Sequence, residues 1–294
     1  AMNIDATALK RWARALHLTC TGIAPASLPV PSEQRQSICP LAAGQGTERY
    51  APQALLPGCQ SIVVVLFPYR CDDGSTPANL AQYCRSRDYH LIVKEYLSRM
   101  MDWITRTYPH SQCLAIADTS PLADRWLAYQ AGLGFFGDNH CLINDIYGSY
   151  FFIGSILTTT PFMPDQPLRQ ECLHCGACCR ACPGSCLDNG TYDYRLCKSY
   201  LTQKKGDFTA EEEAVMKRTP LIFGCDVCQD VCPHNKKAAL TPLAEFCQDR
   251  LATVTYEQLS SLSNRQFHQC YGQRAFAWRG KNTLLRNLKT VEDT

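Results

Sequence analysis

The chain has 294 residues, 46% of them hydrophobic, and a net charge of +2, enough apolar material for a sizeable core and, on size, for more than one domain. So balanced a charge excludes a polycation that binds nucleic acid indiscriminately and leaves any such contact to a local patch. No run of eighteen apolar residues is present, and Asp5, Lys10, Arg11 and Arg14 stand where a secretion signal needs an apolar stretch, so a cytoplasmic protein without a membrane partner is expected.

In chain order, the pattern predicts a first helix over 6–18 and a Pro- and Gly-rich crossing over 25–57. SIVVVLFPY, residues 61–69, is β-branched and apolar and reads as a buried strand. A long helix is expected over about 77–108, with Leu91, Tyr96, Leu97, Met100 and Ile104 at mostly helical spacing. CLAIAD, residues 113–118, is the next strand, and PLADRWLAYQAG is a helix opened by Pro121 and closed by Gly132. HCLIND and SYFFIGSILTTT supply further strands before the Pro-rich PFMPDQP. These elements make an α+β protein with an α/β domain over 1–165, a small cysteine-rich domain over 166–238 and a short helical tail over 239–294.

Nineteen cysteines, an odd number and locally clustered, argue for metal ligation over a disulfide framework. CLHCGACCRACPGSC, residues 172–186, holds Cys172, Cys175, Cys178 and Cys182 followed by Pro183, the C-x2-C-x2-C-x3-C-P run of bacterial iron–sulfur proteins. Its fourth cysteine belongs to the other cluster, so a second half is required. Cys225, Cys228 and Cys232, followed by Pro233, supply three quarters of it. Cys197 is the candidate for the missing ligand, displaced upstream by an insertion with a polar helix around TAEEEAVMKR. The expectation is two 4Fe-4S clusters, one on Cys172, Cys175, Cys178 and Cys232, the other on Cys182, Cys197, Cys225 and Cys228. Cys179 and Cys186 read as small buried hydrophobes beside them. Cys20, Cys39, Cys59, Cys71, Cys84, Cys113, Cys141, Cys247 and Cys270 lack ligand spacing and read as packing or surface thiols.

Two motifs mislead. Gly132, Gly134 and Gly137 fit G-x-G-x-x-G, but they follow a helix and lead into a strand, the reverse of a dinucleotide site, and read instead as a tight turn with close backbone approach to a ligand. Asp88-Tyr89-His90 begins like a cobalt-ligating D-x-H-x-x-G motif, but Val93 stands where glycine is needed, so His90 is not expected to ligate cobalt.

The cluster segment with CKSYLTQKKG and GCDVCQDVCPHN, together with ADTSPLADRWLAYQAGLGFFGDN upstream, resembles the epoxyqueuosine reductase family, cobalamin-dependent iron–sulfur enzymes of tRNA modification related to reductive dehalogenases. The resemblance covers most of the chain. It implies a nitroreductase-like cobalamin domain followed by a two-cluster ferredoxin-like domain. It also implies that base-off cobalamin, reduced through the clusters by an external low-potential donor, converts epoxyqueuosine to queuosine in a tRNA anticodon loop. Asp118 matches the family's proton donor; a desolvated carboxyl at a strand end would keep its proton nearer neutral pH, though Asp118 could equally cap the helix near Pro121. By the same carry-over Leu142 and Ile153 face the corrin from one side and Ser199, Cys225 and Asp226 from the cluster side. Arg125 either orients the acid or a cobalamin amide or lies on a solvated helix face. Asp138 departs from the family, which has Lys in this G-K-N turn, and the chain stops short of the helical-repeat extension many members carry.

The tail offers a partial substitute for that extension. Arg274, Arg279, Lys281 and Arg286 interleave with Phe267, Tyr271, Phe276 and Trp278 and no acid, which suits either an RNA loop or an amphipathic helix packed on the core. Lys204 and Lys205 are a second possible phosphate contact, or plain surface lysines. Two alternatives stand beside the tRNA reading: a paralogue using the same cofactors on a small epoxide or halide, and an electron-transfer protein without cobalamin.

Overall fold

The computed structural model describes residues 3–31, 38–74, 77–188 and 191–292, so that residues 32–37 of the expected crossing lie outside the described residues. Helix α1 (Thr7–Ala15) leads to strand β1 (Thr21–Pro25), followed by β2 (Ser61–Pro68), helix α2 (Tyr89–Thr107), β3 (Cys113–Ile116) and α3 (Asp124–Gln130). Two short strands, β4 (Phe135–Phe136) and β5 (Leu142–Ile143), form a hairpin before β6 (Phe151–Thr158). β1, β2, β6 and β3 lie side by side in that order as one antiparallel sheet.

The unbroken apolar run of β2 follows from its position. Val63, Val65 and Phe67 join the core that α1 and α2 complete with Leu9, Ala13, Ile92, Val93, Leu97 and Met100. Ile62, Val64 and Leu66 point to the other face, against Leu127 and Ala128 of α3. Side chains alternate along a strand, and a strand covered on both faces needs apolar residues at every position. Each such buried aliphatic contributes roughly 1.5–3 kcal/mol. Gly154 in β6 lets α2 approach: a Cβ there would lie 2.7 Å from Val93 Cγ1 and 2.8 Å from a Phe67 ring carbon.

Several elements differ from the sequence pattern. The long helix begins at Tyr89 rather than near residue 77, because Asp88 caps it by accepting from the His90 N–H. Residues 79–84 are drawn off instead: Asn79 and Leu80 N–H donate to Ala252 O and Ala81 N–H to Phe223 O. The helix expected from Pro121 starts at Asp124, and Gly132 does end it, at φ +70° with the Gln166 carbonyl where a Cβ would stand. Only Leu142 and Ile143 of HCLIND are strand, and β1 and β4 carried too little pattern to be predicted.

The cysteine-rich segment folds into short pieces: α4 (Ala177–Ala181), strands β7 (Leu187–Asp188) and β8 (Thr191–Tyr192), α5 (Lys198–Leu201), α6 (Ala210–Met216) and α7 (Val227–Asp230). The polar helix in TAEEEAVMKR forms as expected, with Thr209 and Glu212 in a capping box. The tail forms α8 (Tyr256–Ser260), α9 (Asn264–Tyr271) and α10 (Lys281–Glu292). Its core is shared with Leu80, Ala81 and Cys84 from before α2 and with Ile222 and Phe223. Cys71 and Cys247, expected as thiols, are joined in a disulfide with sulfurs 2.19 Å apart; the tail returns across the sheet and brings their Cα atoms to 5.8 Å, within bridging range. Among the described residues no helix is long and apolar enough to cross a membrane.

Candidate active site

Where β3 ends, the chain turns sharply at Asp118, which adopts φ +57°, a left-handed conformation that Asp tolerates better than most residues. Its N–H donates to Asp124 Oδ2 at 3.1 Å, and its Oδ2 accepts from the Tyr89 hydroxyl at 2.6 Å. His90 Nε2 lies 3.9 Å from the same carboxylate, while His90 Nδ1 and Asp88 Oδ1 are 2.8 Å apart. The Tyr89 ring is stacked between His90 (centroids 4.0 Å) and Phe152 (4.1 Å). Four residues from the start of α2 and the end of β3 thus make a continuous polar chain on an aromatic support.

The expected desolvation of Asp118 is not what the structure has: its side chain is 68% exposed, because the left-handed turn aims it out of the sheet and into a cleft. It caps no helix either. Asp124 is the more enclosed of the two, half-buried as a residue but with its Oδ1 shut off from solvent and without a hydrogen-bond partner among the described residues. Burial, reinforced by the charge of Asp118, pushes Asp124 up to about 7. His90 behaves differently: burial opposes its charged form, but the hydrogen bond and charge of Asp88, with Asp118 beyond, outweigh that and hold it above its ordinary value.

The cleft has a volume of about 740 Å³, and its walls include Tyr69, Tyr83, Tyr89, Phe152, Leu142 and Ile153. Leu142 and Ile153 both line this cleft. Ser199 and Cys225 are not among the residues that line it; Cys141, Ser149 and Gln229 close that side instead, since α7 rather than α5 meets the cleft. Asp226 sits just behind the wall, close enough for its charge to act on Tyr69 and Tyr83. It is 3% exposed, accepts from the Gln82 N–H at 2.7 Å, and is raised by burial to about 7. Its Oδ1 has no partner among the described residues. Arg125 lines the cleft and donates to the His140 carbonyl, tying α3 to the glycine-rich turn.

The cysteines expected to hold clusters gather in two groups. Cys172, Cys175, Cys178 and Cys232 line one small cavity with Asn139, Ile143 and His234. Cys182, Cys197 and Cys228 pack together with Cys178, Cys179 and the buried Cys186, and Cys225 lies within electrostatic reach of Cys197. The sulfurs of Cys182 and Cys186 are 3.3 Å apart.

The glycine-rich turn is a seam between these groups and the cleft. Asp138 Oδ1 meets His174 Nδ1 at 2.8 Å, and Asn139 Nδ2 donates to Cys228 O at 3.2 Å. Asp138, His174 and Cys172 present their ligand atoms within 4.8 Å of one another. A Cβ on Gly134 would lie 2.5 Å from Ile143 O, so the close backbone approach expected of these glycines is to the protein's own hairpin. Cys141, assigned to the scattered cysteines, is a free thiol in hydrogen-bonding contact with Cys228 and lines the cleft, a role no spacing rule could have revealed. Tyr89 and His90, weighed in the sequence only as a misleading cobalt-ligating motif, meet Asp118 here; Asp88 as a cap at the helix start was the signal that could have placed them.

The tail's cations, open to two readings in the sequence, are largely turned to backbone carbonyls. Arg274 donates to the Arg85 and Asp249 carbonyls, Arg279 to Gln203 O, Lys281 to Leu262 O and Arg286 to Lys204 O and Gly206 O. Phe267 and Phe276 are buried, and Lys204 pairs with Glu212 at 2.7 Å. The packed reading of the tail holds because backbone carbonyls at loop ends need donors, which these cations supply.

The family model described as epoxyqueuosine reductase QueG, DUF1730, matches residues 49–119, and that described as a 4Fe-4S double cluster binding domain matches residues 171–235. An epoxyqueuosine reductase of Bacillus cereus is 34% identical over 252 residues, 82% of this chain and 65% of the relative; the chain thus spans about two thirds of that protein's length. One from Leadbetterella byssophila is 31% identical over 84% of this chain and 82% of the relative. Among solved structures, epoxyqueuosine reductase with an epoxyqueuosine-modified tyrosine tRNA stem loop superposes with a TM-score of 0.88 at 28% identity, covering 97% of this chain and 80% of that one. The Bacillus subtilis enzyme with its aspartate-bearing catalytic loop swung out of the active site gives 0.86 at 27% identity over 97% and 80%.

Proposed function

Because the chain belongs to the epoxyqueuosine reductase family, we propose that it reduces epoxyqueuosine to queuosine in the anticodon loop of tRNA, with cobalamin in the cleft and electrons arriving through two 4Fe-4S clusters from an external low-potential donor. The first cluster is held by Cys172, Cys175, Cys178 and Cys232, the second by Cys182, Cys197, Cys225 and Cys228. The gathering of these cysteines into two groups, either side of the turn at Asp138 and Asn139, supports that partition.

The residues of the cleft fit a corrin. Its walls offer apolar surface at Leu142 and Ile153 and ring faces at Tyr69, Tyr83 and Phe152, and two buried carboxylate oxygens, of Asp124 in the wall and Asp226 behind it, lack partners among the described residues. When bound, cobalamin supplies two-electron reduction at the epoxide carbon. Opening an epoxide to an alkene also consumes two protons and releases the oxygen as water, and delivering protons is the task of the chain itself.

Asp118 is the proton donor in this reading, and the single observation that carries it is the polar chain ending on its carboxylate. Tyr89 and the Asp124 contact hold the left-handed turn so that Oδ2 points into the cleft. His90, kept above its ordinary value, is poised to return a proton to Asp118 from 3.9 Å away, with Asp88 fixing its ring.

The test is turnover of a stem loop carrying epoxyqueuosine by anaerobically reconstituted protein with added cobalamin. Asp118→Asn is expected to lower turnover by roughly 10²–10⁴ while iron content and the corrin spectrum stay unchanged. Retained turnover in that variant removes Asp118 from the chemistry, and failure of the unsubstituted protein on tRNA alongside reduction of a small epoxide favours the paralogue reading.

A further inference from the structure

Lys198 directly follows Cys197 and is 1% exposed, one of the largest fully buried side chains in the protein. Lysine is almost never buried to that degree without an opposite charge, since removing an ammonium from water costs several kcal/mol even after relaxation. Its Nζ donates to the carbonyls of Met216 at 2.6 Å and Thr219 at 2.7 Å, at and just beyond the C-terminal end of α6. Those dipoles favour a cation but do not neutralise it. Among the described residues no carboxylate ion-pairs or hydrogen-bonds with Lys198, and Met216, whose carbonyl it meets, belongs to an apolar cluster with Leu201 and Val215. Burial works against its charge and lowers it to about 8, and the charge of Cys225 acts the other way, keeping the proton on.

Cys197 and Cys225 are ligands of the same cluster in the reading above, on which this inference rests. We propose that Lys198 is the buried counter-ion of the second cluster and sets its reduction potential higher than the thiolates alone would. A cluster held by four thiolates is anionic and gains one further negative charge on reduction. A cation fixed beside it in a medium of low dielectric therefore stabilises the reduced form more than the oxidised one. The consequence is directional. The second cluster abuts Cys141 through Cys228, and Cys141 lines the cleft, so a raised potential there draws each electron away from the exposed loop at Cys175 and toward the site of reduction. Lys198 touches neither substrate nor the reacting atoms; it acts through the cluster.

The experiment is a mediator-poised redox titration of the reconstituted protein followed by paramagnetic resonance, with iron and sulfide measured on every sample. Lys198→Met and Lys198→Gln are expected to shift the potential of one cluster to more negative values and leave the other in place, and Lys198→Arg to stay close to the unsubstituted protein. Unchanged potentials in both neutral variants at full iron content overturn the proposal, as does an equal shift in the Arg variant, which would trace the effect to packing. Should the neutral variants fail to take up iron while Lys198→Arg takes it up normally, the charge is required even for assembly, which upholds the counter-ion role. The ligand assignment fails separately: Cys197→Ser would then keep its full iron.

Discussion

Two carboxylates six residues apart show how local geometry separates residues of one chemical type. Asp118 is turned outward by a left-handed backbone and is wet; Asp124 is enclosed and carries the raised affinity for a proton. The sign of the resulting pH dependence follows from linkage. A carboxyl whose folded value lies above its unfolded one binds the proton more tightly when folded, so its contribution is greatest in acid and is lost as pH climbs from 3.8 toward about 7. Asp124→Asn is therefore expected to have its smallest effect near pH 4 and to stabilise the protein increasingly toward pH 8, by on the order of 1–2 kcal/mol after relaxation. Urea midpoints of both proteins across that range check it, and a difference that does not widen with pH would show that Asp124 is ionised in the fold throughout. At this scale D-T-S-P marked Asp118 in the sequence, but burial at the strand end was assumed from the apolar CLAIA, and only the turn decides where the carboxyl points.

Among elements, those with a strong period were legible. β2, β6 and the body of α2 lie where their apolar patterns put them, because a doubly covered strand and a helix against a sheet each need an uninterrupted or 3.6-spaced apolar set. The two-residue strands of the β4–β5 hairpin carry no period to read. The start of α2 was missed because residues 79–84 meet Phe223 and Ala252, contacts between segments more than a hundred positions apart. Among the groups that bind the tail to the cysteine module is Asn287, which is 0% exposed and donates to Thr202 O at 2.7 Å and Ile222 O at 2.8 Å. Asn287→Ala leaves two buried carbonyls unpaired, and a loss of about 2–4 kcal/mol is expected, seen as faster amide exchange in α10 with little change in α2. Equal loosening of both helices would mean that tail and sheet unfold as one unit.

At the scale of the whole molecule, the glycine-rich turn joins the cysteine module to the cleft through Asp138 with His174 and Asn139 with Cys228. The crossed partition of ligands predicts that Cys197→Ser retains about half the iron, the first group being complete without it. Iron and labile sulfide assays on the reconstituted variant measure this, and full retention would move that ligand elsewhere, with Cys186, 3.3 Å from Cys182, the nearest substitute. The tail's cations are engaged by backbone carbonyls, so the surface that meets tRNA in the proposed function is to be sought at the rim of the cleft rather than along α10.

By itself the sequence determined the cofactor chemistry of the cysteine module and the sheet, because thiolate spacing and apolar period are local properties written in consecutive residues. It also carried the family resemblance, and with it Asp118. Only the tertiary structure decided that Asp118 is exposed and Asp124 enclosed, that Cys141 joins the cleft to Cys228, and that Lys198 is sealed beside the second group of cysteines. Those facts depend on which distant segments pack together, and burial, which sets the cost of a charge, belongs to the packed molecule and not to any stretch of the chain.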